Sequence, residues 1–154
     1  MKHPKQKMTT ITAGLFFCLS IVISMASLFA SSDANAQLNS IKNKVVFQVS
    51  DGDPAKWNLT LNNAQNVQAE LGAESVAIEV VVYGSGIGML RGDSPAAQRN
   101  AQALKTGVKV VACENTMKAL KITTTDMLPN IEYVPAGVVE LIQRQQQGYT
   151  YIRP

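Results

Sequence analysis

The chain has 154 residues, of which 46% are hydrophobic and 16% are charged, with a formal net charge of +3. This composition is typical of a globular protein and excludes a disordered or collagen-like chain. Most of the positive charge belongs to residues 1–36, and the remainder carries about +1, which excludes the electrostatic footprint of a nucleic-acid-binding domain.

The N-terminal segment has the three parts of a secretory signal peptide. Three lysines stand in the first seven residues, an uncharged stretch covers residues 11–30, and a small-residue A-x-A pattern ends at Ala36. We therefore expect residues 1–36 to be a signal peptide cleaved after Ala36, residues 37–154 to form a single domain, and the bacterial periplasm to be its compartment. The apolar stretch is also long enough for an uncleaved membrane anchor, which stays open as the alternative.

Cleavage would remove the only histidine, His3, and one of the two cysteines, Cys18. A domain without histidine has no Ser-His-Asp or Cys-His catalytic site and no imidazole metal ligand, and we expect neither a metal nor a cofactor. Cys113 remains as a single thiol that cannot form an internal disulfide. It is therefore buried and inert, paired between chains, or kept for reactivity.

The first predicted elements after residue 43 are a strand and a helix. Residues 44–50 form an apolar, valine-rich run that predicts the first strand. In the turn that follows, Asp53 is a suitable helix cap and Pro54 fits the first helical position. Apolar residues then recur at helical spacing as far as Gly72, which predicts the end of the helix.

A second strand and helix follow. Residues 75–83 are nearly all apolar, which is typical of a strand covered on both faces in a parallel sheet. A glycine-rich stretch, residues 84–90, comes next. Ser94, followed by a proline, marks the start of the next helix, and Gly107 ends it.

The last third of the chain repeats the alternation. Residues 108–112 and 131–134 are predicted strands, a proline-led helix runs from Pro135 to Gly148, and residues 149–153 close the chain as a fifth strand. This regular alternation predicts a three-layer α/β/α domain with a mainly parallel five-stranded sheet, whose strand order the sequence leaves open.

Three stretches that follow predicted strands are candidate walls of one site, because ligands and reactive groups collect at the carboxyl ends of parallel strands. They are residues 51–54, 84–90 and 113–117. The candidate binding residues in the first two are Asp51, Gly84 and Gly86. The glycine stretch is a poor nucleotide loop because Met89 stands where a third glycine is needed, so a turn or the rim of a small-molecule site is favoured.

Cys113 directly follows the third predicted strand, and Asn115 or Thr116 is expected to cap the next helix. Unpaired N–H groups at such a helix start would acidify the thiol, and Lys118 would add positive charge, whereas Glu114 favours the protonated form. A buried and inert cysteine is equally compatible with this position.

Three further side chains indicate structural roles. Glu79 interrupts an apolar strand, which indicates an ion pair, with Arg91 or Arg99 as the expected partner. Tyr149 and Tyr151 alternate on one face of the last strand, and we expect them to pack in the core, with a subunit contact as the alternative.

Two segments carry a resemblance to a known family. They are "GVKVVACENTMKALKITTTDML" and "VPAGVVELIQRQQQGYTYIRP". On them the chain resembles the DsrE/DsrF-like family of small α/β proteins from about Lys44 to Pro154. The second segment is similar to the C-terminal signature of a DsrE-like subgroup, with its proline-led helix, "GY" turn and short final strand. The resemblance implies a flavodoxin-like, DsrE-like fold.

The resemblance also implies a role in handling sulfur. Relay members of the family carry sulfane sulfur as a persulfide on a cysteine directly after the third strand, where Cys113 stands, and they assemble into oligomers. On this reading Asn115 and Thr116 would hold the additional anionic sulfur, and Lys118 would offset its charge. Such members usually work in the cytoplasm, so the export signal of this chain departs from the pattern.

Two functions therefore stay open. The first is a sulfur carrier, similar to a sulfurtransferase, with Cys113 as the acceptor. The second is a non-catalytic oligomeric protein that binds a small ligand at the strand edge and has a structural cysteine. The expected partners are further copies of the chain and, for the carrier, sulfur donor and acceptor proteins. Neither nucleic acid nor, after cleavage, a membrane is expected.

Overall fold

The computed structural model describes residue 41 and residues 43–154, so the predicted signal peptide and its expected cleavage site lie outside the described residues. The strands are β1 (Asn43–Val49), β2 (Val76–Val82), β3 (Lys109–Cys113), β4 (Glu132–Val134) and β5 (Thr150–Ile152). The α-helices are α1 (Pro54–Leu71), α2 (Ala97–Lys105), α3 (Glu114–Ala119) and α4 (Gly137–Gln146). Short 3-10 helices cover Ala73–Ser75, Gly84–Leu90 and Thr124–Asp126.

The five strands form one sheet in the order β4-β3-β2-β1-β5. Each neighbouring pair is parallel. The predicted fold class is therefore confirmed, and the structure adds the strand order. Because all strands run the same way, the residues that follow β1, β2 and β3 meet at one edge of the sheet.

The helix ends follow local sequence signals with small offsets. The Asp53 side chain accepts a hydrogen bond of 2.8 Å from the Ala55 N–H, and Gly72 ends α1 with a φ of 84°. By contrast, α2 begins at Ala97 and not at the Ser94-Pro95 pair, because the Ser94 hydroxyl accepts from the Ala96 N–H at 3.2 Å and forms a turn before the helix.

The two faces of the sheet are covered by different helices. One face packs against α1 and α2, with Trp57 and Leu61 of α1 among its buried residues, and we call it the α1/α2 face. The other packs against α4, whose Leu141 contacts the cluster that contains Val81 and Val111, and we call it the α4 face. Helices on both sides of one sheet make the three layers that the sequence predicts.

Glu79 is buried on β2, and its charge is paired, but the expected partners are wrong. Its Oε2 atom lies 2.8 Å from Nη2 of Arg144 on α4 and 3.7 Å from Nζ of Lys109 on β3. Arg91 instead pairs with an aspartate two residues away, and Arg99 donates to asparagine side chains of α1. Burial raises the pKa of Glu79 by more than the charge of Arg144 lowers it.

The two C-terminal tyrosines have different surroundings. Tyr149 packs against the apolar cluster of the α4 face, and its ring centroid lies 5.4 Å from the Arg144 guanidinium, so its predicted core position is confirmed. Tyr151 is 40% exposed, and for this residue the core prediction is wrong.

Candidate functional site

The three predicted stretches do meet at the carboxyl edge of the sheet. The Gly86 N–H donates to the Ser50 carbonyl at 3.2 Å, and the Gly84 N–H donates to Oγ1 of Thr116 at 3.0 Å. A Cβ on Gly86 would lie 2.5 Å from the Val49 carbonyl oxygen, so only glycine allows the chain to pass this close to the end of β1.

Cys113 is the last residue of β3 and occupies the cap position of α3. Because side chains alternate along a strand, it lies on the same face as Val111, beneath the start of α4. The residue is only 5% exposed. The expected caps, Asn115 and Thr116, lie instead inside the first turn of α3, because the helix begins directly after the cysteine.

The Cys113 side chain makes no capping hydrogen bond to α3, but polar donors near it affect the pKa of its thiol. Burial makes the largest single contribution and raises this pKa, but the proximity of the Thr116 hydroxyl and of the N–H groups of Gly137, Thr116 and Asn115 outweighs it. The pKa therefore lies below its ordinary value of 9.0. These donors stabilise the thiolate, because a thiolate accepts hydrogen bonds more strongly than a thiol.

The Thr116 hydroxyl is oriented toward the sulfur by the glycine-rich segment. Its oxygen accepts the 3.0 Å hydrogen bond from the Gly84 N–H, so one lone pair is occupied and the hydroxyl hydrogen is left to donate. Gly84, one of the predicted binding residues, thus acts on Cys113 through Thr116.

The side chains of three other predicted site residues, Lys118, Asp51 and Asn115, are not among the groups that shift the pKa of Cys113. Lys118 is exposed and, with Glu114 and Tyr133, lines a shallow cavity of about 240 Å³ beside α3. Asp51 is ion-paired, with its Oδ2 atom 3.3 Å from Nζ of Lys56, and this hydrogen bond lowers its pKa. The Asn115 side chain is exposed, and its backbone N–H donates a hydrogen bond of 3.2 Å to the Pro135 carbonyl.

Two residues that the sequence did not single out complete the site. Gly137, the first residue of α4, contributes the N–H group that acts on the thiol. A Cβ at this position would lie 3.0 Å from Cδ1 of Tyr83, so the glycine allows α4 to approach both the tyrosine and Cys113. In the sequence, the close approach of α4 to Tyr83 and Cys113 is indicated by one signal, a glycine near the start of the predicted helix.

In the described part of the chain, no helix combines the length and the hydrophobicity needed to cross a membrane.

Solved structures share this fold. MTH1491, a protein of unknown function from Methanobacterium thermoautotrophicum, is 35% identical, with a TM-score of 0.70, and the match covers 73% of this chain and 100% of that one. The ychN protein from E. coli is 17% identical, with a TM-score of 0.58, and the match covers 73% of this chain and 99% of that one. BT1422, a conserved protein of unknown function from Bacteroides thetaiotaomicron, is 14% identical, with a TM-score of 0.58, over 75% of this chain and 97% of that one.

None of the curated proteins matches the chain in sequence. The model of the DsrE/DsrF-like family matches residues 43–154, which is the whole of the sheet with its helices. The chain therefore belongs to the DsrE/DsrF-like family.

Proposed function

We propose that this protein handles sulfur by carrying sulfane sulfur as a persulfide on Cys113. The DsrE-like family is associated with sulfur relay. The observation that carries the proposal is the position of one thiol at the end of β3, beside a Thr116 hydroxyl held by the Gly84 N–H and beside backbone donors that lower the pKa of the thiol against the effect of its burial. A thiolate is the form that attacks sulfur, and the same donors would stabilise the anionic terminal sulfur of a persulfide.

The proposed step needs no external oxidant. The Cys113 thiolate attacks the terminal sulfur of a persulfide R–S–SH, a new S–S bond forms on Cys113, and the old S–S bond breaks. The electron pair of the broken bond leaves with R–S⁻, and the hydrogen stays on the transferred sulfur. Attack by an acceptor thiolate on that terminal sulfur passes it on and restores the Cys113 thiolate.

The surroundings of the site support contact with other chains. Val138, Val139 and Ile142 on α4 are each about half exposed, with 53%, 49% and 49% of their surface accessible. Exposed apolar side chains next to a reactive group are typical of protein contact surfaces. We propose that the protein forms a homo-oligomer, exchanges sulfur with donor and acceptor proteins, and acts in the periplasm after export.

A second candidate function is favoured by the burial of the sulfur. A residue that is 5% exposed suits a structural cysteine in a protein that binds a small ligand without chemistry. In that case the donors around Cys113 would serve only to satisfy the polar groups at the start of α3.

Intact-mass measurement after incubation with a persulfide donor separates the two functions. In a Cys18→Ser background, where Cys113 is the single thiol whether or not residues 1–36 are cleaved, a carrier gains about 32 Da, the mass of one sulfur atom, and Cys113→Ser gains nothing. Subsequent addition of a thiol acceptor should return the carrier to its starting mass. If the native protein gains no mass with low-molecular-weight persulfides or polysulfide, while the unfolded chain does, the sulfur is inaccessible and the second function stands.

A further inference from the structure

A row of polar side chains extends from Cys113 along the α4 face toward β5. The alternation of the strands places Gln48, Tyr83 and Tyr151 on this face, as the register pairs Val46 of that face with Tyr151. Together with Ser50 and Arg153, we call these residues the polar strip.

The polar strip is continuous with the cysteine site. Tyr83 packs against Gly137, the residue whose N–H acts on Cys113, and Ser50 is near enough to its hydroxyl to affect the pKa of Tyr83. From there, Gln48 Nε2 donates to the Ser50 hydroxyl at 3.0 Å, and the Tyr151 hydroxyl donates to Gln48 Oε1 at 2.6 Å. The far end of the strip is therefore linked to the site by successive contacts.

The far end of the strip carries excess positive charge. Arg153 and Lys56 share one carboxylate, that of Asp51, at 3.4 and 3.3 Å. The Arg153 side chain is 50% exposed and uses one of its five N–H donors in this contact. Its guanidinium thus retains donors for a second anion, and a planar guanidinium suits a carboxylate.

The strand order sets the distance between this cation and the sulfur. From β3 to β5 there are three steps across the sheet, through β2 and β1. Strands lie about 4.8 Å apart, and the register places Arg153 level with Gln48, about 7 Å along the sheet from the level of Cys113, so the two Cα atoms are separated by roughly 16 Å and the length of the arginine side chain leaves a span of about 10 Å. A compact inorganic donor does not bridge such a distance, whereas a donor of tripeptide size does.

We propose that the polar strip binds the leaving-group part of a low-molecular-weight persulfide of about tripeptide size, with a carboxylate on Arg153 and the terminal sulfur at Cys113. This inference rests on the proposed function and assigns its donor class. The tyrosine rings would contact the body of the donor, and the leaving thiolate would depart along the strip after the S–S bond breaks.

The test compares donors on the full protein, with glutathione persulfide as the extended carboxylate donor. Cysteamine persulfide, which has no carboxylate, and thiosulfate, a compact anion, are the reference donors. We expect Arg153→Gln to lower the second-order rate of sulfur loading from glutathione persulfide by about three- to tenfold, with rates for both reference donors unchanged. Arg153→Lys should recover part of the loss, and Lys105→Gln, which removes a distant exposed cation, should lose nothing.

Asp51→Asn should change the rate of sulfur loading in the direction opposite to Arg153→Gln. It removes the carboxylate that competes for Arg153, so loading from glutathione persulfide should become faster. Equal loading of wild type and Arg153→Gln by glutathione persulfide would overturn the donor assignment and leave the proposed function intact. If no donor loads wild type, the proposed function fails, and this inference fails with it.

Discussion

The two faces of the sheet are built differently. The α1/α2 face has a continuous apolar cluster in which Phe47, Val80 and Met89 are fully shielded from solvent. The α4 face has a smaller apolar cluster and also buries Glu79 and Cys113. The first face supplies most of the apolar burial. The second holds two groups with a shifted pKa, the Glu79 carboxyl and the Cys113 thiol.

The difference follows from how many helices cover each face. Two helices, α1 and α2, pack side by side on the first, whereas among the helices that the structure describes α4 alone crosses the second and contacts β1, β2, β3 and β5. One helix leaves the carboxyl ends of β1 and β5 partly open, and polar side chains such as Gln48 and Tyr151 occupy that space. Substitutions on the α1/α2 face are therefore expected to change stability alone, whereas substitutions on the α4 face should also change the protonation of Glu79 or Cys113.

The largest loss of stability is expected on the α1/α2 face. Phe47→Ala removes a fully buried ring and should lower the free energy of unfolding by about 3–5 kcal/mol, because the apolar transfer energy is lost and a cavity remains. Urea denaturation measures the change. Leu59→Ala, on the exposed side of α1, is the control and should change it by about 0.5 kcal/mol or less. A comparable loss at Leu59 would contradict the assignment of the core.

The buried ion pair of the α4 face should show the next largest effect. Arg144→Leu leaves the buried Glu79 carboxylate with Lys109 at 3.7 Å and also removes the partner of Glu140, which pairs with Arg144 at 2.9 Å, and we expect a loss of about 3 kcal/mol near neutral pH. The double variant Glu79→Leu with Arg144→Leu should recover part of this loss, because the buried Glu79 charge is removed while Glu140 still lacks its partner. A double variant as unstable as the single one would mean that the lost packing of Arg144, and not the unpaired charge, is responsible.

The pH dependence of this ion pair has a definite sign. Burial raises the pKa of Glu79 in the folded state above its unfolded value of 4.5, so the folded state binds this proton more tightly. The contribution of Glu79 to stability is then fully present below the unfolded pKa and is lost as the pH rises through the folded pKa. The loss caused by Arg144→Leu should therefore shrink as the pH is lowered toward 4.5. A loss that grows on acidification would contradict the raised pKa.

A smaller effect is expected where α4 begins. Gly137→Ala places a Cβ 3.0 Å from the Tyr83 ring, and relief of this contact should move α4 away from Cys113 at a cost of about 1–2 kcal/mol. The same variant should raise the pKa of Cys113, because one N–H donor moves away. Gly92→Ala, whose nearest contact is an ordinary 3.6 Å, is the control. A gain in stability at Gly137, as expected for alanine in an uncrowded helix, would show that the approach is not tight.

Local features of this fold were predictable because they depend on neighbouring residues. The Asp53 cap and the position of Cys113 after β3 follow from short patterns, and both agree with the structure. Lys118 was expected near the sulfur, but five residues along a helix correspond to a rotation of about 140° beyond one full turn, which directs the side chain elsewhere. The rotation per residue of an α-helix is therefore enough to predict that Lys118 and Cys113 lie on different sides of α3.

Contacts between distant residues were not predictable, because they depend on the strand order. Glu79 and Arg144 meet only because α4 crosses β2, and Gly84 meets Thr116 only because β2 and β3 are adjacent. A single sequence does not encode that order in any short pattern. The sequence therefore predicts three segments at one edge of the sheet as the site, but it does not predict which groups act on Cys113.

The smallest change tests the thiol itself. Thr116→Val removes the hydroxyl that donates to Cys113 and leaves the Gly84 N–H without its acceptor, at a cost of about 1 kcal/mol. The pH profile of alkylation by iodoacetamide reports the thiolate fraction. In wild type its midpoint should lie below 9.0, the ordinary value for a cysteine thiol, and in Thr116→Val it should move upward. Thr116→Ser keeps the hydroxyl and should keep the wild-type midpoint. Because the pKa of the thiol is lowered in the folded state, the stability that Cys113 contributes is present above the unfolded pKa and is lost as the pH falls through the folded pKa.

A Thr116→Val profile identical to wild type would contradict the role of the hydroxyl. It would show that the backbone N–H groups alone lower the pKa of Cys113, and the pKa would then not depend on the contact between Gly84 and Thr116.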